Sequence, residues 1–206
     1  MLNIDEITNF KLHENKLSKN ITIASCTVLA LLGLQGCDIE ISVQKDSTPL
    51  SKNTVATLSC DTQKNLKFNE ENSNITIKGN CQSIQIVGEN NHFIIDSTQS
   101  IQLAGKKNTL HIKQGKSIQI AGYANKMQLG TSKDIAVAGI NNSIQAKSAN
   151  SIKSAGFFNK VYVAKVNTLQ MVGFASKLEY QQGLDQIQTV SFKQEGYFNK
   201  ISQVSP

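Results

Sequence analysis

Arginine and tryptophan are absent from the 206 residues, and proline occurs only twice. All 21 basic residues are therefore lysine, behind a net charge of +6. Arginine supplies the planar fork that reads base edges and grips phosphates, so its absence argues against specific nucleic-acid recognition. With aromatic residues at 6%, a globule built around large rings is also disfavoured. Histidine is nearly as scarce. His92 and His111 are the two that follow the N-terminal segment, and neither forms a ligand spacing with a cysteine, so neither a metal nor a cofactor is expected. No G-x-S-x-G elbow and no phosphate-binding loop occurs. The acids Glu89, Asp96, Asp134 and Glu179 fall at different repeat positions, without the pairing that glycoside hydrolysis requires. No catalytic residue is identified, and the chain reads as a non-enzyme.

Long hydrophobic runs are also missing, with one exception near the front. ITIASCTVLALLGLQG at 21–36 follows Lys11, Lys16 and Lys19. A helix of its roughly fourteen apolar residues would reach about 21 Å, short of a ~30 Å hydrocarbon core. A positive flank, a short apolar stretch and a small residue at its end make a signal peptide, expected as a helix over 1–36. The run closes on Leu34-Gln35-Gly36-Cys37, which resembles the lipobox of bacterial lipoproteins. That resemblance implies cleavage before Cys37 and acylation of its thiol, palmitate being one of the chains expected. The anchor would place the protein on a membrane of the cell envelope, facing the periplasm or the outside. Residues 37–53, polar and carrying Pro49, read as a tether.

Four cysteines fit an exported compartment. Cys26 lies within the signal peptide and Cys37 is the acylation site, which leaves Cys60 and Cys81 as an even pair expected to bond.

What the sequence has in abundance is itself. Glycine recurs at 88, 105, 122, 139, 156 and 173, always 17 residues apart. Asparagine follows three residues later at 91, 108, 125, 142 and 159, with Ser176 in the sixth copy. Apolar residues alternate within each copy, as in Ile118 and Ile120 or Val161 and Val163. Period two means strands, and a fixed short period means stacked coils. The expected fold is all-β: a single-stranded β-solenoid of about eight 17-residue coils, each with two short strands. Columns such as Ile84, Ile101, Ile118, Ile135, Ile152 and Leu169 form its apolar spine. Glycine suits a corner with positive φ, and asparagine tolerates the left-handed region while its amide bonds the copies above and below. Residues 54–82 read as an N-terminal cap holding the disulfide, and 83–206 as the solenoid proper.

TLSC at 57–60, NITIKGNC at 74–81 and the tandem G-x-x-N strands behind a lipoprotein signal resemble a bacterial family of unknown function numbered 3060. The resemblance implies a fold and a location, and no chemistry.

One column changes character along the rod. The residue after the corner glycine runs Glu89, Lys106, Tyr123, Ile140, Phe157, Phe174, then Tyr197. Nearby the same half carries Lys126, Lys160 and Lys177. An aromatic stripe edged by lysine offers a binding surface; the alternative is that the rings stack for stability or lie under the irregular segment 181–190. The sequence thus predicts a non-catalytic, lipid-anchored envelope protein with a structural or binding role. Its partners would be the membrane and an envelope polysaccharide or protein. The alternative is a carbohydrate-directed surface protein, binding polysaccharide or cleaving it.

Overall fold

Alternating β-branched and polar residues, repeated every 17 positions, leave each strand one apolar face that only a neighbouring coil can cover. A computed structural model shows how the coils meet that demand; it describes residues 20–24, 40–44, 51–61, 64–184 and 190–205. Two strands, β1 (Asn20–Ala24) and β2 (Glu40–Gln44), pair antiparallel. The solenoid follows with β3 (Ser51–Lys52), β4 (Val55–Ser59), β5 (Asn65–Glu71), β6 (Asn74–Glu89), β7 (His92–Lys106) and β8 (Thr109–Tyr123). It continues through β9 (Lys126–Ile140), β10 (Ser143–Phe157), β11 (Lys160–Phe174), β12 (Lys177–Gln182), β13 (Ser191–Tyr197) and β14 (Lys200–Gln203).

From β6 to β11 each strand pairs in parallel with the next, and partners lie 17 residues apart along most of the stack: Ile101 opposite Ile118, Ile118 opposite Ile135, Ile135 opposite Ile152. Each coil is one long strand bent twice. The ladder skips Asp96 and Gln99 in β7 and the equivalent residues of the next coils, so a run of two residues separates two longer ones. The expectation of two strands per coil gains this short third side.

The coils close at a further corner, where nine residues from Asn53 to Phe198 hold a left-handed φ between 51° and 57°. About seven turns stack, against the eight expected. The interval from Ala175 to Phe198 contains the irregular segment instead of a regular repeat.

Two features of this corner keep the stack in register. The first is glycine: a Cβ on Gly139, at φ 113°, would collide with the carbonyl oxygen of Gly122 in the coil before. The second is a buried ladder of asparagines. Asn125 Oδ1 accepts the Asn108 backbone N–H at 3.0 Å and its side-chain amide at 3.2 Å. Asn125 Nδ2 in turn donates to the Gly105 carbonyl and to Asn142 Oδ1. The pattern runs from Asn91 to Asn159 and passes through Ser176 to Asn199. The ladder asparagines do not themselves occupy the left-handed region. The residue before each does, as at Asn90, Lys107, Ala124 and Phe158, because the corner turns one step earlier and so points the amide inward.

Inside, the columns expected from alternation are buried, including Ile84 through Leu169 and Phe93, Leu110, Met127, Ile144, Val161 and Leu178. The β10 coil fills its interior with smaller groups, Ala146, Ala149 and Ser154, and among the described residues the Ser154 hydroxyl has no hydrogen-bond partner. At the N-terminal end the Cys60–Cys81 disulfide, both residues buried, ties the first coil to β6.

One expectation for the N-terminal segment needs correction. Asn20–Ala24 is a strand and not the start of a helix, in keeping with its β-branched run Ile21, Thr22, Ile23. Within the stretch read as a tether, Glu40–Gln44 pairs with that strand and Ser51–Lys52 pairs with β5. Cys26 and Cys37, with the rest of 25–39 and with residues 1–19, lie outside the described residues. Among the described residues no helix is long and apolar enough to cross a membrane.

Candidate interaction surface at an aromatic corner

Because equivalent residues stack, the corner presents ladders of its own. Tyr123 lies opposite Ile140, Ile140 opposite Phe157, Phe157 opposite Phe174 and Phe174 opposite Tyr197. At about 4.8 Å per coil this stripe extends roughly 19 Å along the rod. Tyr123 is 47% exposed and Tyr197 63%, while Phe157 and Phe174 are partly buried.

Two further rings belong here that the repeat reading missed. Phe158 and Phe198 occupy the left-handed corner position and are 47% and 80% exposed. Both meet Phe174 edge to face, with centroids 6.0 and 5.3 Å away, and Phe157 lies 6.3 Å from the same ring. The signal was in the sequence as GFFNK at 156–160 and GYFNK at 196–200, a doubled aromatic between the corner glycine and the ladder asparagine. Ring contacts therefore gather around Phe174, while Tyr123 and Tyr197 are open to solvent. Of segment 181–190, residues 185–189 lie outside the described residues. Leu184, at its near end, bonds Asn167 Oδ1 at the bend across the coil, and Val190, at its far end, packs on the core.

Lysines line the other side of the corner. Lys126, Ser143, Lys160, Lys177 and Lys200 share one register column, and all are exposed. Lys177 pairs with Glu179 at 2.8 Å; among the described residues Lys126, Lys160 and Lys200 have no ion-pair partner. A groove of about 300 Å³ opens between Lys160, Tyr162, Lys177 and Glu179.

Of the four acids of the regular coils, Glu89, Asp96 and Glu179 pair with lysines, and among the described residues Asp134 has no ion-pair partner. Glu89 pairs with Lys106 at 2.7 Å and Asp96 with Lys113 at 2.6 Å. The Lys113 hydrogen bond holds the Asp96 carboxyl below its ordinary pKa, although at this exposed site the pair adds little to stability. His92 and His111 stand edge to face at 5.2 Å, and among the described residues no three His, Cys, Asp or Glu side chains gather into a metal site.

With stacked G-x-x-N corners and the Cys60–Cys81 tie established, comparison with known families is informative. Residues 70–119 match the family described as Protein of unknown function (DUF3060). The matched stretch spans the end of β5 through β8, about a quarter of the chain, and includes Cys81 and the first two ladder asparagines. No curated protein and no solved structure matches the chain.

Proposed function

We propose that this chain is a non-catalytic, lipid-anchored protein of the bacterial cell envelope, its solenoid serving as a rigid structural or binding element. The observation that carries the reading is Leu34-Gln35-Gly36-Cys37 closing an apolar run just ahead of the stack. Supporting it is the way the stack consumes its own chemistry. The buried amides bond to neighbouring coils, and Glu89, Asp96 and Glu179 are held by Lys106, Lys113 and Lys177. Function is thereby left to the surface and to where the rod is held. Two or more acyl chains give stable anchoring where one gives marginal binding.

Replacing Cys37 with Ser tests the anchor. The wild type should take up a labelled fatty acid and sediment with membranes, and the variant should do neither. Equal labelling of the two proteins refutes lipidation at Cys37.

A further inference from the structure

The stripe occupies a position where the fold does not ask for rings. In the N-terminal half the same corner is built from Glu89 and Asn90, then Lys106 and Lys107, with the same left-handed φ and the same ladder beneath it. Charged side chains therefore close the corner adequately. Phe158 and Phe198, at φ 55° and 56°, adopt a conformation that bulky side chains seldom take, and their rings face solvent. Backbone strain of this kind, with no burial in the core to offset it, points to a use outside the fold.

The chemistry of the patch narrows that use. Phenyl rings carry no hydrogen-bonding group, and the ladder amides beneath them are already engaged. Asn159 Nδ2 donates to the Gly139 and Ala155 carbonyls, and Asn199 Nδ2 to those of Gly173 and Glu195. A sugar would find faces to stack on but few groups to bind its hydroxyls, the exposed Asn141 amide and the Tyr123 and Tyr197 hydroxyls among them. The rings stand at a coil corner and do not line the groove between Lys160, Tyr162, Lys177 and Glu179, whereas small ligands are held in concave sites. What matches exposed rings along a coil corner, with unpaired Lys126, Lys160 and Lys200 beside them, is a broad, negatively charged surface with an apolar layer beneath. Aromatic side chains settle at the boundary of headgroups and acyl chains, and lysines beside them meet the phosphates.

We infer that the C-terminal half of the solenoid lies along an anionic lipid bilayer on this corner, with Phe158, Phe198 and Tyr197 entering the interface and the lysine column meeting the headgroups. The inference rests on the envelope reading for its location only. Rings and lysines, rather than the acylated cysteine, make this second contact. It would lay the rod along the membrane instead of letting it stand free on its tether.

The absence of tryptophan supplies the test. Phe198→Trp and, at an ordinary strand position, Tyr197→Trp each place a single fluorophore on the corner; Gln119→Trp places one on the outer face of β8. Full-length proteins are reconstituted with phosphatidylethanolamine vesicles, with or without phosphatidylglycerol, whose acyl chains carry bromine. Any attachment through the N-terminal segment is common to all three. Emission of the two corner probes should shift to the blue and be quenched in the anionic vesicles, while the β8 probe stays unchanged. Combining Lys126→Glu, Lys160→Glu and Lys200→Glu should weaken that response about tenfold or more, as should high salt. Equal quenching of all three probes, or none at the corner, overturns the inference. So does a corner response to soluble anionic envelope polysaccharide with none to vesicles, which would assign the stripe to a glycan. Fatty-acid labelling of Cys37 succeeding while the corner probes stay silent removes this inference and leaves the anchor intact.

Discussion

Removing one rung of the asparagine ladder should damage the stack more than its size suggests. Asn125 is 1% exposed, and its side chain serves the coils on both sides. In Asn125→Ala the buried Asn108 N–H loses its acceptor and the partly buried Gly105 carbonyl loses the amide that caps it. Each such loss costs about 1–3 kcal/mol, and the small cavity adds to it, so a total of about 3–5 kcal/mol is expected. The protein itself contains the milder version. Ser176 stands at a ladder position and its hydroxyl accepts the Asn159 N–H at 3.1 Å. Asn125→Ser should therefore keep the acceptor, lose only the donor, and cost about half as much. Urea denaturation followed by far-ultraviolet circular dichroism measures both, with the slope compared alongside the midpoint because stacked coils can uncouple. A loss under about 1 kcal/mol for Asn125→Ala, or a serine variant no better than the alanine one, would refute the ladder as the source of register.

The Cys60–Cys81 bridge closes a loop at a separation of 21 residues, which chain entropy values at about 3 kcal/mol. Reduction or Cys81→Ser should lower the unfolding midpoint accordingly, and an unchanged midpoint would mean that the first coil contributes no stability. Ser154→Val should act in the opposite direction, because among the described residues the buried hydroxyl has no partner and its stacked neighbours are Val137 and Met171. A gain of about 1–2 kcal/mol in the same denaturation assay is expected, and a loss would show that the hydroxyl is satisfied in solution.

Most of the fold was legible because stacking converts sequence period into spatial columns. Ile101 predicts Ile118 directly, since both must fill the same space one coil apart. Two things escaped that logic. The bends at Asp96 and Gln99 have no fixed residue type; the Asp96 column continues as Lys113 and Gly130, so only the broken ladder reveals it. The left-handed position runs Asn90, Lys107, Ala124, Asn141, Phe158, Ala175, Phe198, a series that looks like noise to a search for period. It varies because its side chain leaves the corner for solvent and enters none of the buried columns.

That freedom is why the aromatic corner carries information about function. At the glycine a Cβ would strike the coil before, at the asparagine a lost amide strands buried groups, and at the inward residues a lost methyl opens a void. Between glycine and asparagine the fold fixes the backbone and leaves two side chains unconstrained. In the first half of the rod these are charged or polar, as fits a solvated edge. In the second half they become Phe157 and Phe158, then Tyr197 and Phe198, each pair followed by its asparagine and a lysine. Exposed phenyl rings in a left-handed backbone are unfavourable for an isolated rod, both in hydration and in torsion. A surface that takes up those rings offsets both costs together, and the lysine column beside them gives that surface its sign.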